Sequence, residues 1–372
     1  MTSEDFFENL KHQFDNELPF VVYRKPNESE VKCLLQQDAA LHTTKEFTES
    51  GFVFAPFDTK EEVVLIPFKN SIKYGIVMSS AVETLHNQKS LNQVKNNIEK
   101  QHHLNLVDKA IKATQSGHLL KVIASRVETV TLKDSNVIGT FKRLLNTYST
   151  AFVYCWYHPK VGLWLGASPE TLLRVEGNQF TTMALAGTLK DEGTLDVEWG
   201  NKEKDEHQLV VDFIVDKLHL FSDRIKTFKT ETVRAGNILH LKTKITGIFK
   251  NNIHQIITVL HPTPAVCGQP KELAKQFILE NENYNREYYT GFLGELNLKQ
   301  KMSRNSNRKN VENNAYISIK NVSDLFVNLR CMQIKNNQAL IYVGGGITKD
   351  SVALDEWDET VLKTLVMKKV LQ

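Results

Sequence analysis

The chain has 372 residues, of which 41% are hydrophobic and 24% are charged, and this composition is typical of a soluble globular protein. Its net charge of +3 argues neither for nor against nucleic acid, but no basic block is dense enough to follow a phosphate backbone, so we expect no nucleic-acid partner. No run of about 18 apolar residues occurs, and the N-terminal segment is acidic and polar, so we expect neither a membrane span nor a signal peptide.

The four cysteines indicate the compartment. Cys33, Cys155, Cys267 and Cys331 are far apart and form no Cys-x-x-Cys pair. Reduced thiols fit this spacing better than a disulfide framework or a zinc site. We therefore expect a cytoplasmic protein.

The N-terminal region, residues 1–104, carries scattered structural signals and no chemical motif. The pattern predicts a helix over residues 2–14, strands over 20–23 and 63–67, and a polar helix over 90–109. No linker rich in Pro, Gly or Ser follows, so we expect a scaffold region that shares one fold with the rest of the chain.

Residues 119–131 alternate and are rich in β-branched side chains, which predicts a strand. Lys121 lies on one face of it with Ile123 and Ser125. A lysine in mid-strand ordinarily extends its ammonium group to water. In a central strand the ammonium group would be partly desolvated, its pKa would fall, and it would act as a base near neutral pH. The residues leave both interpretations open.

The stretch 163–188 presents a glutamate on a stiff turn. A short apolar strand over 163–165 breaks at residues 166–169, where Pro169 stiffens the backbone immediately before Glu170. A hairpin follows and ends in the small residues Ala-Gly-Thr, a combination that suits an acid/base site. On these residues alone we favour a simpler interpretation, a hairpin with one exposed glutamate, because ordinary turns outnumber catalytic ones.

Residues 203–220 predict a helix with a carboxylate close to its apolar stripe. Glu206, Val210 and Phe213 follow the spacing of one helix face. A carboxylate in that position costs free energy unless it is paired. An arginine and a metal ion are the two candidate partners.

The following segment alternates loops with regular elements. Residues 261–270 contain three prolines and predict a rigid loop before a helix over 271–283. Alternating aromatic residues and glycines predict a strand over 286–294. The polar residues 297–314 predict a mobile hairpin loop with solvated charges.

Two more strands are predicted near the C-terminus. The first, residues 324–334, places Asn328 and Arg330 opposite its apolar face. The second, residues 340–343, ends in three glycines whose amides can converge on an anion. Because no GxGxxG or GxxxxGK[ST] pattern accompanies these glycines, nucleotide binding is weakly supported.

The last helix, residues 353–371, has two distinct faces. Glu356, Glu359 and Lys363 share one of them, and Glu359 with Lys363 would form a surface pair worth about 0.2–0.5 kcal/mol. The residues predicted to be buried on the other face are Leu354, Trp357, Val361 and Leu365.

These segments, in this order, resemble the chorismate-utilising enzymes, and within them the isochorismate synthases. The resemblance implies an α+β fold of layered, mostly antiparallel β-sheets with helices packed outside. It makes residues 105–372 the chorismate-binding catalytic domain. The motifs that carry the resemblance are KVIASR, GASPETLL, ALAGT, KEKDEH followed by QLVVDFI, HPTPAVCGQP, NREYYTGFLG, LFVNLR, GGGI and EWDET.

The resemblance also implies roles for individual residues. Lys121 corresponds to the general base that activates water, and Glu170 to the general acid for the departing hydroxyl. Glu206 and Glu359 correspond to ligands of Mg²⁺, a hard cation that prefers oxygen ligands. The residues implied to contact chorismate are Gly187, Thr188, His261, Tyr289, Arg330, Gly344, Gly345, Gly346 and Lys363.

The implied reaction is water addition at C2 of chorismate with loss of the C4 hydroxyl, which yields isochorismate. Two positions select this branch: Lys121 stands where ammonia users commonly have glutamine, and Ala186 where the aminodeoxychorismate branch has lysine. Salicylate synthases, which go on to eliminate pyruvate, share both residues and are the alternative. We expect no glutamine amidotransferase subunit, and we expect a monomer.

The chain departs from the family pattern at three places. Cys267 stands where glycine is usual, Gly345 where alanine is usual, and Glu287-Tyr288 where Gly-Trp is usual. These departures bear on substrate positioning more than on the reaction class. A protein that only binds chorismate is a hypothesis of another class, but such a protein would need no acid/base pair.

Overall fold

The structure is a computed structural model that describes residues 1–78, 97–132, 136–222, 224–236, 238–249, 252–303 and 317–371. The start of the predicted helix over 90–109 lies outside these residues. Most of the predicted hairpin loop over 297–314 also lies outside them.

The described strands form two sheets, and neighbouring strands pair antiparallel throughout. Strands are numbered in chain order, and each sheet runs in space from one edge to the other as follows. Sheet A contains β15 (Gly268–Gln269), β7 (Lys121–Thr131), β19 (Gln338–Ile347), β18 (Cys331–Lys335), β9 (Gly162–Ser168), β8 (Phe152–His158), β1 (Phe20–Arg24), β2 (Glu30–Gln36) and β6 (Ser71–Val77). Sheet B contains β12 (Ile225–Thr227), β14 (Ile238–Ile248), β11 (Gln179–Lys190), β10 (Thr171–Glu176), β17 (Ile317–Val327), β16 (Phe292–Ser303), β4 (Gly51–Ala55), β5 (Val63–Pro67) and β3 (His42–Thr44), with β13 (Glu231–Ala235) also paired to β14.

Helices cover the outer faces of both sheets. Among the described residues, none of these helices is both long enough and apolar enough to cross a membrane. The helices are α1 (Ser3–Asp15), α2 (Asn97–Gln115), α3 (Val137–Thr147), α4 (Asn201–His219), α5 (Ile253–Leu260), α6 (Lys271–Asn281) and α7 (Ala353–Lys368).

The core has separate layers because strand side chains alternate between the two faces of a sheet. Along β1, Val21 packs into an aromatic core between the sheets, whereas Val22 packs against α1 and α3. Phe152 of sheet A stacks on Phe326 of sheet B with ring centroids 4.1 Å apart. The predicted α+β class, with antiparallel sheets and outer helices, is confirmed.

Two glycine segments predicted to end strands lie inside strands instead. β9 continues through Gly166 to Ser168, with Gly166 paired to both neighbouring strands, and β19 continues through residues 344–346, which pair with β7. A Cβ added at Gly166 would lie 2.6 Å from the ring of Tyr154. The missing side chain therefore allows close packing between neighbours, and it does not break the strand.

The predicted strand over 324–334 is in fact two strands in different sheets. β17 ends at Val327 in sheet B, and β18 begins at Cys331 in sheet A. Between them Arg330 adopts a φ of +48°, which sequence alternation does not reveal. The strand predicted over 286–294 begins only at Phe292, and residues 297–303, predicted as loop, extend that strand.

The burial predicted for α7 is wrong at Leu354 and Leu365, whereas Trp357 and Val361 are half-buried. Leu354 and Leu365 are 55% and 40% exposed, whereas Glu356 and Lys363 are buried. Hydrophobic periodicity separates an apolar face of a helix from a polar face. A prediction from periodicity then assumes that the apolar face is the buried one. The interior beside α7 is itself polar, so the charged face is directed inward.

A buried ion cluster joins the two sheets. Lys25, which follows β1, lies 2.6 Å from Glu295 of β16 and 2.9 Å from Asp324 of β17. The hydroxyl of Tyr23 donates to the other oxygen of Glu295 at 2.5 Å. Lys25 therefore links sheet A to sheet B through buried carboxylates.

We expect Lys25→Met to lower the free energy of unfolding by roughly 3 kcal/mol, because two buried carboxylates lose their closest cation and keep only the longer contacts with Lys32 at 3.8 Å and Arg174 at 3.6 Å. Urea denaturation followed by circular dichroism measures the change. Lys11→Met, which removes an exposed lysine of α1, is the matched control and should change the value by less than about 0.5 kcal/mol. Equal stability of Lys25→Met and the wild type would contradict this prediction.

Candidate active site

The chain crosses between the sheets at two neighbouring points, one after β9 and one after β17. The amide of Ala167 donates to the carbonyl of Arg330 at 3.0 Å, and the amide of Val327 donates to the carbonyl of Glu170 at 3.0 Å. These bonds hold the two crossings side by side. Glu170 and Arg330 are thereby placed in the same region between the sheets.

Glu170 is buried within this region. It is 2% exposed, and burial raises its pKa from 4.5 to about 8, although Lys121 and Arg330 oppose the shift. The carboxyl group is therefore protonated at neutral pH and able to donate its proton. The hairpin of the simpler interpretation is present as β10 and β11, but its expectation of an exposed glutamate is wrong.

Lys121 is fully buried at the start of β7. Its Nζ lies 2.8 Å from Oε1 of Glu206 on α4, yet it makes no hydrogen bond of suitable geometry within the described residues. The partner of Glu206 is thus a lysine, whereas the sequence left an arginine or a metal ion open. The Nε of Arg330 also has no acceptor among the residues that the structure describes. Arg330 therefore keeps a buried donor available to an anionic ligand, whereas Lys121 already lies beside a carboxylate.

His240 of β14 connects Arg330 to Gly187. Its Nδ1 donates to the carbonyl of Gly187 at 2.7 Å, and its Nε2 lies 3.2 Å from a guanidinium nitrogen of Arg330. Burial, and then the charge of Arg330, lower the pKa of His240 to about 3. The imidazole is therefore neutral, and its Nε2 accepts from Arg330. Gly187 itself sits at a register shift of β11 with a φ of +75°.

The glycines of β19 form the floor of the site. A Cβ on Gly346 would lie 2.5 Å from Glu206 and 2.8 Å from Cε of Lys121. A Cβ on Gly345 would lie 3.1 Å from Oε2 of Glu356 and 3.6 Å from Oε1 of Glu359. Carboxylates from α4 and α7 thus occupy the space that side chains on these glycines would fill. The departure from alanine at Gly345 leaves room for Glu356.

This arrangement fits the Mg²⁺ that the family resemblance implies. Glu206, Glu356 and Glu359 present hard oxygen ligands over the glycine floor, the donor type that Mg²⁺ prefers. Among the described residues, no three His, Cys, Asp or Glu side chains converge closely enough to hold a metal ion by themselves.

Most of the other predicted residues also lie in this region. Lys363 donates to the carbonyl of Gly344 at 2.8 Å and pairs with Glu359. A Cβ on Gly344 would lie 3.1 Å from the hydroxyl of Tyr289. Thr188 follows Gly187 in β11 and is half-buried.

His261 is the exception among the predicted residues. Its Nε2 lies 3.2 Å from the carbonyl of Pro56, and its ring packs edge-on against Phe292. The structure gives it no contact with Lys121 or Glu170.

Sequence reasoning missed two residues of the site. His240 alternates with apolar residues in β14, and nothing in the sequence marks it as a link to Arg330. Glu356 carried a usable signal, since it lies three residues before Glu359 and therefore on the same helix face.

Two models of known protein families match the chain. The model described as chorismate binding enzyme matches residues 62–302, and a second model of that description matches residues 314–369. The first match alone covers more than half of the chain. The chain therefore belongs to the chorismate-binding enzyme family.

Two of the curated proteins that are similar in sequence are isochorismate synthases. The chain is 28% identical to isochorismate synthase EntC of Escherichia coli over 279 residues, 71% of this chain and 66% of that protein. It is 28% identical to isochorismate synthase MenF of Escherichia coli over 281 residues, 72% of this chain and 59% of that protein. The matched region thus spans about two thirds or less of the length of these curated relatives.

Solved structures share the fold. The crystal structure of DhbC from Bacillus anthracis superposes with a TM-score of 0.75 at 20% identity and covers 98% of both chains. The structure of MenF, a menaquinone-specific isochorismate synthase from Escherichia coli, superposes with a TM-score of 0.74 at 21% identity and covers 95% of this chain and 89% of that one. At these identities the likeness concerns the fold.

The raised pKa of Glu170 predicts a dependence of stability on pH. Between pH 4.5 and about 8 the folded chain holds a proton on Glu170 that the unfolded chain releases, so the contribution of Glu170 to the free energy of unfolding falls as pH rises through this window. We expect Glu170→Gln to remove that slope and to remove a protonated-carboxyl infrared band that disappears near pH 8.

Denaturation at several pH values and difference infrared spectroscopy measure both effects. Glu192→Gln, at an exposed glutamate, is the control. An unchanged slope and band in Glu170→Gln would show that Glu170 ionises in its ordinary range.

Proposed function

We propose that the protein is an isochorismate synthase, an isomerase that adds water at C2 of chorismate and removes the C4 hydroxyl. The observation that carries this proposal is the presence, in one buried region, of the Lys121 amino group, which makes no hydrogen bond in the described part of the chain, and of a carboxyl group protonated at neutral pH, Glu170. Membership of the chorismate-binding family and the similarity to EntC and MenF support the choice of substrate.

The two residues supply opposite proton transfers to one reaction. In its neutral amine form Lys121 acts as the general base that removes a proton from the attacking water, because only an unprotonated nitrogen can accept it. The ring double bonds shift, and Glu170 donates its proton to the C4 hydroxyl, which leaves as water. One water enters and one leaves, so the reaction is an isomerisation and needs no redox cofactor.

Chorismate carries two carboxylates, and the site provides the complementary charge. Arg330 is oriented by His240 and keeps its Nε available for a carboxylate. Tyr289 lies beside the backbone of the glycine floor, and Gly187, which the family resemblance places against the ring, packs against Glu203 and Trp199. Bidentate recognition of carboxylates is what the guanidinium group does well.

Mg²⁺ belongs to this proposal, with Glu206 and Glu359 as ligands and Glu356 beside them. When bound, it would neutralise a substrate carboxylate and orient the ring. Lys363 supports this end of the site through its contacts with Glu359 and Gly344.

The remaining expectations concern the context of the enzyme. The four cysteines are buried and unpaired, which supports a reducing, cytoplasmic compartment. Lys121 and Ala186 match the water-using pattern, so we expect no glutamine amidotransferase subunit. We also expect a monomer. Salicylate synthase is the alternative activity, since those enzymes share both residues.

Product analysis tests the function directly. With chorismate and Mg²⁺ we expect isochorismate to accumulate and to reach the same ratio to chorismate from either direction. Lys121→Ala should slow turnover by roughly 10²–10⁴-fold, because the general base is lost. Chromatography of long incubations, with and without ammonium, identifies the products.

Accumulation of salicylate and pyruvate would move the assignment to salicylate synthase. An aminated product in the presence of ammonium would contradict the water-using branch. Binding of chorismate without any turnover would favour a binding protein.

The metal ligands make a separate prediction. We expect chelation to abolish turnover, and Glu206→Gln and Glu359→Gln to reduce it by about two orders of magnitude or more while leaving the circular dichroism spectrum unchanged. The neighbouring exposed acids supply matched controls, Asp205→Asn on α4 and Asp358→Asn on α7, which should retain activity. Full activity of either glutamate variant in excess chelator would refute the metal assignment.

A further inference from the structure

Every carboxylate over the glycine floor is paired with a lysine. Three acids from two helices face the floor, and three different elements supply their cations. Such pairing neutralises charges that would otherwise repel each other in a half-buried site. The pairs are Lys121 with Glu206 at 2.8 Å, Lys202 with Glu356 at 3.0 Å, and Lys363 with Glu359.

The three lysines differ in how easily each could move away from its carboxylate partner. Lys121 and Lys363 have side chains only 1% and 9% exposed, and Lys363 is held by a second bond to Gly344. The side chain of Lys202 is 38% exposed. It is the second residue of α4, and within the described residues its one polar contact is Glu356. Lys202 alone can turn into solvent without breaking the framework.

Lys202 also experiences the whole acidic cluster. Burial lowers its pKa, but Glu356, then Glu206 and Glu359, raise it above the usual value for a lysine. The ammonium group is therefore charged at all physiological pH values. It places a positive charge among the carboxylates that the proposed function assigns to Mg²⁺ and its surroundings.

We propose that Lys202 is a tethered cation that competes with the divalent cation for this carboxylate cluster, and that it turns into solvent when the metal binds. The inference rests on the metal site of the proposed function and adds to it a residue that sets the metal affinity. Glu356 lies beside the proposed ligands Glu206 and Glu359, so a divalent cation bound there would repel the ammonium group of Lys202 at short range. The apparent affinity for Mg²⁺ is therefore reduced by the stability of the Lys202–Glu356 pair.

The expected effect is a gain in affinity when the competitor is removed. A partly exposed pair of this kind weakens metal binding by about five-fold, so Lys202→Met should tighten Mg²⁺ binding by about that factor. Lys202→Arg keeps a charged group in place and should remain within about two-fold of the wild type. Lys204→Met is the matched control, because Lys204 is exposed on the same helix turn and its removal changes the net charge equally.

The experiment is calorimetric titration of the full chain with Mg²⁺ alone, without substrate, at two salt concentrations. Thermal unfolding with and without Mg²⁺ provides a second measurement. Lys202→Met should unfold at a lower temperature than the wild type without Mg²⁺, because Glu356 loses its partner, and should gain more stability on adding Mg²⁺. This opposite response separates competition from a general loss of stability.

Each outcome decides the proposal. Tighter binding in Lys202→Met but not in Lys204→Met supports it. Weaker binding in Lys202→Met would show that Lys202 positions Glu356 for the metal, and an equal gain in both variants would reduce the effect to net charge; either result overturns the competition. If Mg²⁺ binds neither the wild type nor any variant, the metal assignment of the proposed function fails as well, whereas binding without a change in Lys202→Met refutes only the role of Lys202.

Discussion

The hydrogen bonds between the two chain crossings are the constraint on which the rest of the site depends. They hold the end of β9 against the end of β17, so that Glu170 and Arg330 enter the space between the sheets together. At each crossing the chain leaves one sheet and enters the other. If either strand continued in its own sheet, it would carry Glu170 or Arg330 away from the second residue. The geometry of the candidate site is thus set by where strands end.

The electrostatics of the site follow from this enclosure. Burial removes water from Glu170 and raises its pKa to about 8, even though Lys121 and Arg330 are near. The same removal of water strengthens the attraction between Lys121 and Glu206 and leaves Lys121 without a hydrogen-bond acceptor among the described residues. A proton donor and a candidate base therefore coexist within one pocket because their surroundings differ in charge and in partners.

The orientation of α7 shows how a functional interior changes helix packing. Its charged face meets the glycine floor, and its C-terminal end buries Val366 and Met367 in the outer core of sheet A. Lysine–carboxylate pairs replace the apolar contacts that a core helix ordinarily makes. Leu354 and Leu365 are exposed because α7 buries its charged face here and cannot bury the opposite face as well.

Sequence alone determined the local elements and the chemical types at the site. Apolar runs such as residues 20–23 predicted strands correctly, and the motif order identified Lys121, Glu170, Glu206 and Glu359 as candidates. Tertiary structure decided which face of α7 is buried, where the strand over 324–334 breaks, and that Glu206 pairs with Lys121. Periodicity reports only on residues near in the chain, whereas burial, pKa and ion pairing depend on groups that folding brings together from distant segments.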